Sequence, residues 1–111
     1  MQDRFKFRAW DSIAKEYIFD SYALYELFVN DIDNSYQVEQ CTGLKDKNGK
    51  LIYEGDIVTG FFNNNKVIWD KGSFCVDDGS GVFDELAKSN EDCVIIGNIH
   101  ENPELLEDNN A

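Results

Sequence analysis

The sequence predicts a mainly β domain made of small antiparallel units, with one or two short helical segments. Between residues 51 and 76 turn residues recur about every ten positions, a spacing typical of short strands in a meander or small barrel. Aromatic residues make up 14% of the chain, and flat rings suit a pleated, half-buried surface. The length of 111 residues fits one domain with a single modest core.

The first predicted unit is a hairpin near the N-terminus. The letters FKFRAW, at residues 5–10, alternate with a period of two, which predicts a strand. The letters DSIAKEY that follow predict a turn, and residues 17–19 predict a short return strand.

The segment from Ser21 to Asn30 fits two structures. Tyr22, Tyr25 and Val29 have helical spacing, and Ser21 is a residue type that caps helices. The same letters also fit a strand. A short helix or an irregular segment is the preferred interpretation, and a loop then leads into a predicted strand, YQVEQC.

The stretch TGLKDKNGKLIYEGDIV, residues 42–58, predicts two sharp corners. Asn48 and Gly49 are the strongest short hairpin signal, and both are expected to adopt positive φ in the turn. Gly55 is expected to permit the second corner, where Asp56 accepts hydrogen bonds from the turn backbone.

The second half of the chain predicts further short strands separated by turns. The strands are expected at residues 56–62, 66–70 and 74–76, and residues 82–92 are expected to form one or two helical turns. The most apolar stretch, residues 93–100, predicts a central strand in which Gly97 indicates a bulge or a close backbone crossing. Asn102 is expected to cap a last helical turn, with Pro103 at its first position.

Charge and cysteine content narrow the function classes. The formal net charge of -12 disfavours general nucleic-acid binding, because an acidic surface repels phosphate backbones. The first residues do not resemble a signal peptide, and no apolar run approaches the roughly 20 residues of a membrane-spanning helix. Three cysteines, an odd number, argue against a disulfide framework. A cytoplasmic protein is the simplest interpretation.

Residues that could bind metal or act as a nucleophile lack a specific pattern. Cys41, Cys75, Cys93 and His100 do not have the close pairwise spacing of zinc ligands, so no metal site is expected. The same residues supply a Cys–His pair for catalysis only if the fold brings them together.

Acidic and glycine-rich segments have structural explanations. Asp77, Asp78 and Ser80 form an oxygen-rich loop without the spacing of a calcium loop, so a solvated turn is expected. Glu54 and Asp56 form a pair of carboxylates of the kind used in acid–base catalysis. Such pairs arise by chance in a chain with 22 acidic residues.

Two further patterns point weakly to ligands. The letters GSG at residues 79–81 lack the following lysine of a phosphate loop, and the three lysines of KDKNGK are expected at an exposed hairpin tip rather than on an anion. Exposed rings on a barrel face stack nucleic-acid bases, but core packing is the preferred role of five rings: Trp10, Tyr53, Phe61, Phe62 and Trp69.

Three segments, KFRAWD, CTGLKDKNGKLIYEGDIV and VIIGNIHENPELLE, resemble the YopX family of small proteins, which are encoded in phages and prophages of mainly Gram-positive bacteria. The resemblance implies a β-rich fold of small, partly open barrel-like units, a phage-derived intracellular origin, and no assigned catalytic residue or cofactor. It is compatible with one domain over residues 1–111, divided into β subdomains at about 1–41 and 42–111. The shared motif is expected to be structural and to act through nine residues: Gly43, Asn48, Gly49, Tyr53, Gly55, Asp56, Gly97, Asn98 and Pro103.

The preferred hypothesis is therefore a non-catalytic module, without a cofactor, whose acidic surface binds a protein of the host or the phage. The alternative is a nucleic-acid-associated factor that uses a barrel face with four basic residues: Arg4, Lys6, Arg8 and Lys66. A third hypothesis is a small hydrolase with Cys93 or His100 in a pocket. Exposed strand edges also predict a homo-oligomer.

Overall fold

The computed structural model describes residues 6–30 and 35–107, which form two antiparallel sheets and two α-helices. In chain order the elements are β1 (Phe7–Asp11), β2 (Glu16–Ile18), α1 (Ser21–Asn30), β3 (Tyr36–Lys45), β4 (Leu51–Tyr53), β5 (Asp56–Thr59), β6 (Asn65–Asp70), β7 (Ser73–Asp77), β8 (Val82–Glu85), β9 (Val94–Asn98) and α2 (Glu104–Glu107). The mainly β fold with short helices that the sequence predicts is confirmed.

The first sheet has the strand order β2-β1-β3-β4. β1 and β2 form the predicted hairpin, in which Trp10 lies opposite Tyr17. β1 also pairs with β3, and this register places Arg8 directly opposite Glu39. The two charged residues therefore meet across neighbouring strands.

The ambiguous segment is the helix α1, which packs against β1 and buries Leu24. Ser21 is not the capping residue that the sequence suggested. The carboxylate of Asp20 accepts a hydrogen bond from the Tyr22 backbone N–H at 3.1 Å instead. A carboxylate before the first turn satisfies a free N–H group and faces the positive end of the helix dipole.

The second sheet has the strand order β8-β7-β6-β5-β9, and the chain passes into it between β4 and β5. The suggested subdomain boundary near residue 41 falls inside β3. Ile52, on β4 of the first sheet, belongs to the same apolar core as residues of the second. The fully buried members of this core are Ile52, Val58, Val67, Val76, Leu86 and Cys93.

The hairpin between β3 and β4 differs from its prediction. Gly49 has a φ of +81°, whereas Asn48 does not have a positive φ. The Gly49 N–H donates to the Asp46 carbonyl at 2.9 Å, so the turn is centred on Lys47 and Asn48, and Gly49 follows in the left-handed conformation. Asp46 explains the difference, because its buried Oδ1 accepts the backbone N–H groups of Asn48 and Lys50, each at 2.9 Å.

Two strand irregularities contain glycines of the motif. β3 has a register shift between Cys41 and Lys45, and Gly43 lies within it with a φ of +81°. In β9, Gly97 follows Ile96, which the register with β5 leaves unpaired as a bulge.

The prediction of a central strand at residues 93–100 is wrong, because β9 lies at the edge of its sheet. Its outer side is covered by the β3–β4 hairpin instead. The Lys47 N–H donates to the Cys93 carbonyl at 2.8 Å, and the Ile95 N–H donates to Asp46 Oδ2 at 3.0 Å. The apolar character of this stretch therefore reflects packing against the hairpin and the core, with Ile95 packed against the core.

Three other predicted elements are corrected. The strand expected at residues 56–62 ends at Thr59. Residues 82–92 begin with β8 and then form two 3-10 turns, Leu86–Lys88 and Asn90–Asp92. Asn102 does not cap α2 with its side chain, since its Oδ1 accepts the Asn98 N–H at 3.3 Å; Pro103 directly precedes α2.

Candidate functional site

Glu39, on β3, is the centre of a buried polar cluster at the junction of the two sheets. Its Oε1 accepts hydrogen bonds from Arg8 Nε at 2.9 Å and from the Tyr17 hydroxyl at 3.1 Å. Its Oε2 lies 2.8 Å from His100 Nε2, and the side chain is 3% exposed. We call these residues, together with Asp56, the Glu39 cluster.

Arg8 links Glu39 to a second carboxylate. One terminal nitrogen lies 2.9 Å from Asp56 Oδ1 and donates to the Glu54 carbonyl at 3.0 Å. The guanidinium lies between two rings, with its carbon 4.1 Å from the Tyr17 centroid and 4.7 Å from that of Tyr53. Burial lowers the pKa of Arg8, but Asp56 and Glu39 more than offset this, so its pKa is raised and the group stays charged.

Aromatic rings enclose one side of the cluster. Trp10 stacks on His100 with centroids 4.8 Å apart and an interplanar angle of 5°. Tyr17 meets Trp10 edge-on at 5.0 Å. Burial raises the pKa of Tyr17, as does Glu39, while Arg8 opposes the shift, so the hydroxyl remains a donor.

His100 is held in place by the turn that follows β9. Asn98 Oδ1 accepts the backbone N–H groups of His100 at 3.0 Å and Glu101 at 2.9 Å. The His100 side chain is 12% exposed and hydrogen-bonded to Glu39. The role of Asn98 is to orient the backbone that carries the imidazole.

The corner at Gly55 brings Asp56 to the cluster. Asp56 Oδ2 accepts the Tyr53 N–H at 2.8 Å, which closes the turn, while Oδ1 faces Arg8. Gly55 has a φ of +85°, and a Cβ there would lie 2.5 Å from Glu39 Oε2. The glycine therefore makes room for the carboxylate as well as for the turn.

The Glu39 cluster is a network of ion pairs whose charged groups are hydrogen-bonded to one another. Each charged group faces a hydrogen-bonding partner, and the cluster contains no thiol or hydroxyl nucleophile beyond the Tyr17 phenol. Within residues 6–30 and 35–107, no three His, Cys, Asp or Glu side chains gather as metal ligands would. We conclude that the cluster joins the two sheets.

The three cysteines, Cys41, Cys75 and Cys93, are buried and form no disulfide with one another. The described contacts of the His100 side chain are with Glu39, Trp10 and Tyr17. The Cys93 thiol donates to the Asn90 carbonyl at 3.2 Å, and burial, with Asp46 nearby, raises its pKa to about 11.

We expect Cys93 in the folded protein to react with iodoacetamide at pH 8 at least about a hundredfold more slowly than free cysteine, because only about a thousandth of it is thiolate. Mass spectrometry of alkylated peptides over time measures this. Unfolding in guanidinium chloride is the control and should expose all three thiols. Rapid alkylation of Cys93 without denaturant would contradict the expectation.

The oxygen-rich loop is a self-bonded turn. Asp77 Oδ1 accepts the Gly79 and Gly81 N–H groups at 2.8 and 3.2 Å. Asp78 accepts the Ser80 N–H at 3.0 Å. The carboxylates thus satisfy the loop backbone, as expected for a solvated turn.

The four basic residues of the alternative hypothesis lie in different environments. Arg8 is buried against carboxylates, and Arg4 lies outside the described residues. Lys6 is exposed and Lys66 half-buried. Of the five rings assigned to the core, Trp10 and Tyr53 are buried and Phe61 packs against the core, but the assignment is wrong for Phe62 and Trp69, which are exposed.

A comparison with protein families decides the family. The model of the YopX protein family matches residues 24–107. The chain belongs to the YopX family. It is also similar to protein EF1440 from Enterococcus faecalis, known from a crystal structure: the identity is 28%, the TM-score 0.63, and the likeness covers 91% of this chain and 96% of that one. No curated protein matches the chain.

The YopX match includes only part of the Glu39 cluster. Glu39, Asp56 and His100 lie within it, whereas Arg8 and Tyr17 precede residue 24. All nine motif residues lie inside the YopX match. Neither described helix of this YopX protein is long and apolar enough to cross a membrane.

Proposed function

We propose that this YopX protein is a non-catalytic interaction module of phage or prophage origin, which acts in the bacterial cytoplasm by docking α1 on a basic protein. The observation that carries the proposal is the outer face of α1. Tyr22, Tyr25 and Val29 are 70%, 61% and 59% exposed, although all three are large and apolar.

The spacing of these residues makes them one continuous stripe. Positions i, i+3 and i+7 lie on the same side of a helix, and Leu24 on the other side anchors α1 to the domain. The stripe is therefore not needed to hold the helix in place. Helices that present such anchors typically enter an apolar groove on a partner.

The sequence around α1 is acidic, which favours a partner with a basic surface. No Lys or Arg lies between Lys15 and Lys45, while residues 16–33 contain five Asp or Glu. A groove bordered by Lys and Arg side chains complements this segment. A second copy of the chain would bring the same acidic charge to the contact, which disfavours self-association through α1.

The double variant Tyr22→Ser, Tyr25→Ser tests the proposal. We expect the tagged full chain, expressed in induced host cells, to retain a basic protein that the double variant loses. Binding of the purified pair, measured by calorimetry, should weaken at least about tenfold, because aromatic anchors dominate helix-in-groove contacts. It should also weaken as salt is raised.

The matched control is Phe62→Ser, which removes a ring of similar exposure, 72%, outside α1. This control should retain the partner, and circular dichroism should show both variants folded. Equal loss in both variants, an acidic partner, or recovery of nucleic acid instead of protein would overturn the proposal. So would a purified oligomer that the double variant dissociates, since a second copy would then cover α1. The predicted homo-oligomer through strand edges is a separate contact.

A further inference from the structure

A cleft of about 740 Å³ opens between β4 and β9, above the Glu39 cluster. Its volume is in the range of pockets that hold small molecules, roughly 300–1,000 Å³. Phe19 and Ile96 line it and are 58% and 39% exposed, and Leu51 and Ile95 add further apolar surface. The walls therefore offer apolar contact that the folded chain leaves uncovered.

The border of the cleft is basic, although the protein is strongly acidic. Of the residues that the structure describes, four of the nine Lys and Arg line it, whereas two of the 18 Asp and Glu do. Arg8, at the floor, is offset by Asp56 and Glu39. Lys6, Lys45 and Lys50 also line the cleft, as does Glu101. The positive charge is thus located at the rim.

The hairpin that carries two of these lysines is rigidly placed. Asp46 accepts N–H groups from its own turn and from Ile95 on β9, and Lys47 N–H bonds to Cys93. These contacts fix Lys45 and Lys50 at the cleft, while the Lys47 side chain does not line it. All three lysines of this hairpin are exposed, as predicted, and Lys45 and Lys50 also line the cleft.

We propose that this cleft binds a small organic anion, with a carboxylate or phosphate head on a flat apolar body. The head lies between Lys45 and Lys50, and the body covers Phe19 and Ile96. A purely inorganic anion would leave the apolar walls exposed to water, and a neutral aromatic compound would not use the lysines. The site is distinct from α1 and does not depend on the partner proposed there.

Phenyl phosphate is the probe, and benzoate distinguishes a carboxylate head from a phosphate head. We expect saturable binding with a Kd of about 1 mM or lower in amide NMR titrations, with the largest shifts at residues 45–51 and 95–98. Inorganic phosphate and phenol, tested separately, should each bind at least about tenfold more weakly.

Lys50→Ala and Lys45→Ala should each weaken binding about two- to fivefold, and the double variant about tenfold, as expected for partly exposed charge contacts. Lys47→Ala is the matched control, because it removes one charge from the same hairpin outside the cleft. The proposal is overturned if phenyl phosphate does not saturate, if inorganic phosphate binds as well, or if Lys47→Ala weakens binding as much as Lys50→Ala.

Discussion

Replacing Glu39 with alanine is expected to lower the free energy of unfolding by about 3–5 kcal/mol, because breaking a buried ion pair leaves uncompensated charge. Arg8 would lose the partner of its Nε, and the Tyr17 hydroxyl and His100 Nε2 would lose their acceptor. Each of these groups would remain buried or half-buried. Unfolding in guanidinium chloride, followed by tryptophan fluorescence, measures the change.

Glu16→Ala is the control for this experiment. Glu16 lies on β2 of the same sheet, and its side chain is exposed, so the same substitution should change the free energy of unfolding by less than about 0.5 kcal/mol. A loss below about 1 kcal/mol for Glu39→Ala would mean that water reaches Arg8 and replaces the carboxylate.

Gly55→Ala is expected to destabilise the protein by about 3–4 kcal/mol. About 1–2 kcal/mol comes from the positive φ of +85°, which any residue with a Cβ adopts at a cost. The rest comes from crowding, since the new Cβ would lie 2.5 Å from Glu39 Oε2 and 2.9 Å from its Cδ. Glu39 is held by three partners and is buried, so it cannot move away freely.

Gly49→Ala separates the two contributions. Gly49 has nearly the same φ, +81°, but a Cβ at this position would have nothing within 4 Å of it. We therefore expect a loss of only about 1–2 kcal/mol for this variant. Equal losses for the two variants would contradict the crowding argument and would show that Glu39 moves aside.

Local signals explain the parts of the fold that the sequence predicted. The β1–β2 hairpin and the turn near Gly49 depend on alternation and turn residues within about ten positions. The helix α1 was recognisable from its spacing. Two details were predicted wrongly, the cap at Asp20 and the turn centred on Lys47 and Asn48. In each, a carboxylate, Asp20 or Asp46, accepts a backbone N–H group two residues further along the chain.

The Glu39 cluster was missed because its members are far apart in sequence. A weak signal was present, however. Arg8 and Trp10 lie on the same face of β1, and Glu39 and Cys41 lie on the same face of β3. Each charged residue therefore shares a strand face with a buried neighbour. Opposite charges at such positions indicate a buried pair, but the pairing register that joins them comes only from the fold.

The bond between Glu39 and His100 spans 61 residues of chain. Its formation during protein synthesis therefore has to wait until residue 100 has left the ribosome, long after β1, β2 and β3 have emerged. Until then the Arg8 and Glu39 side chains can meet each other, 31 residues apart, but the junction with the second sheet remains unfinished. Non-local closure of this kind slows folding, so we expect this junction to form after the contacts within the first sheet.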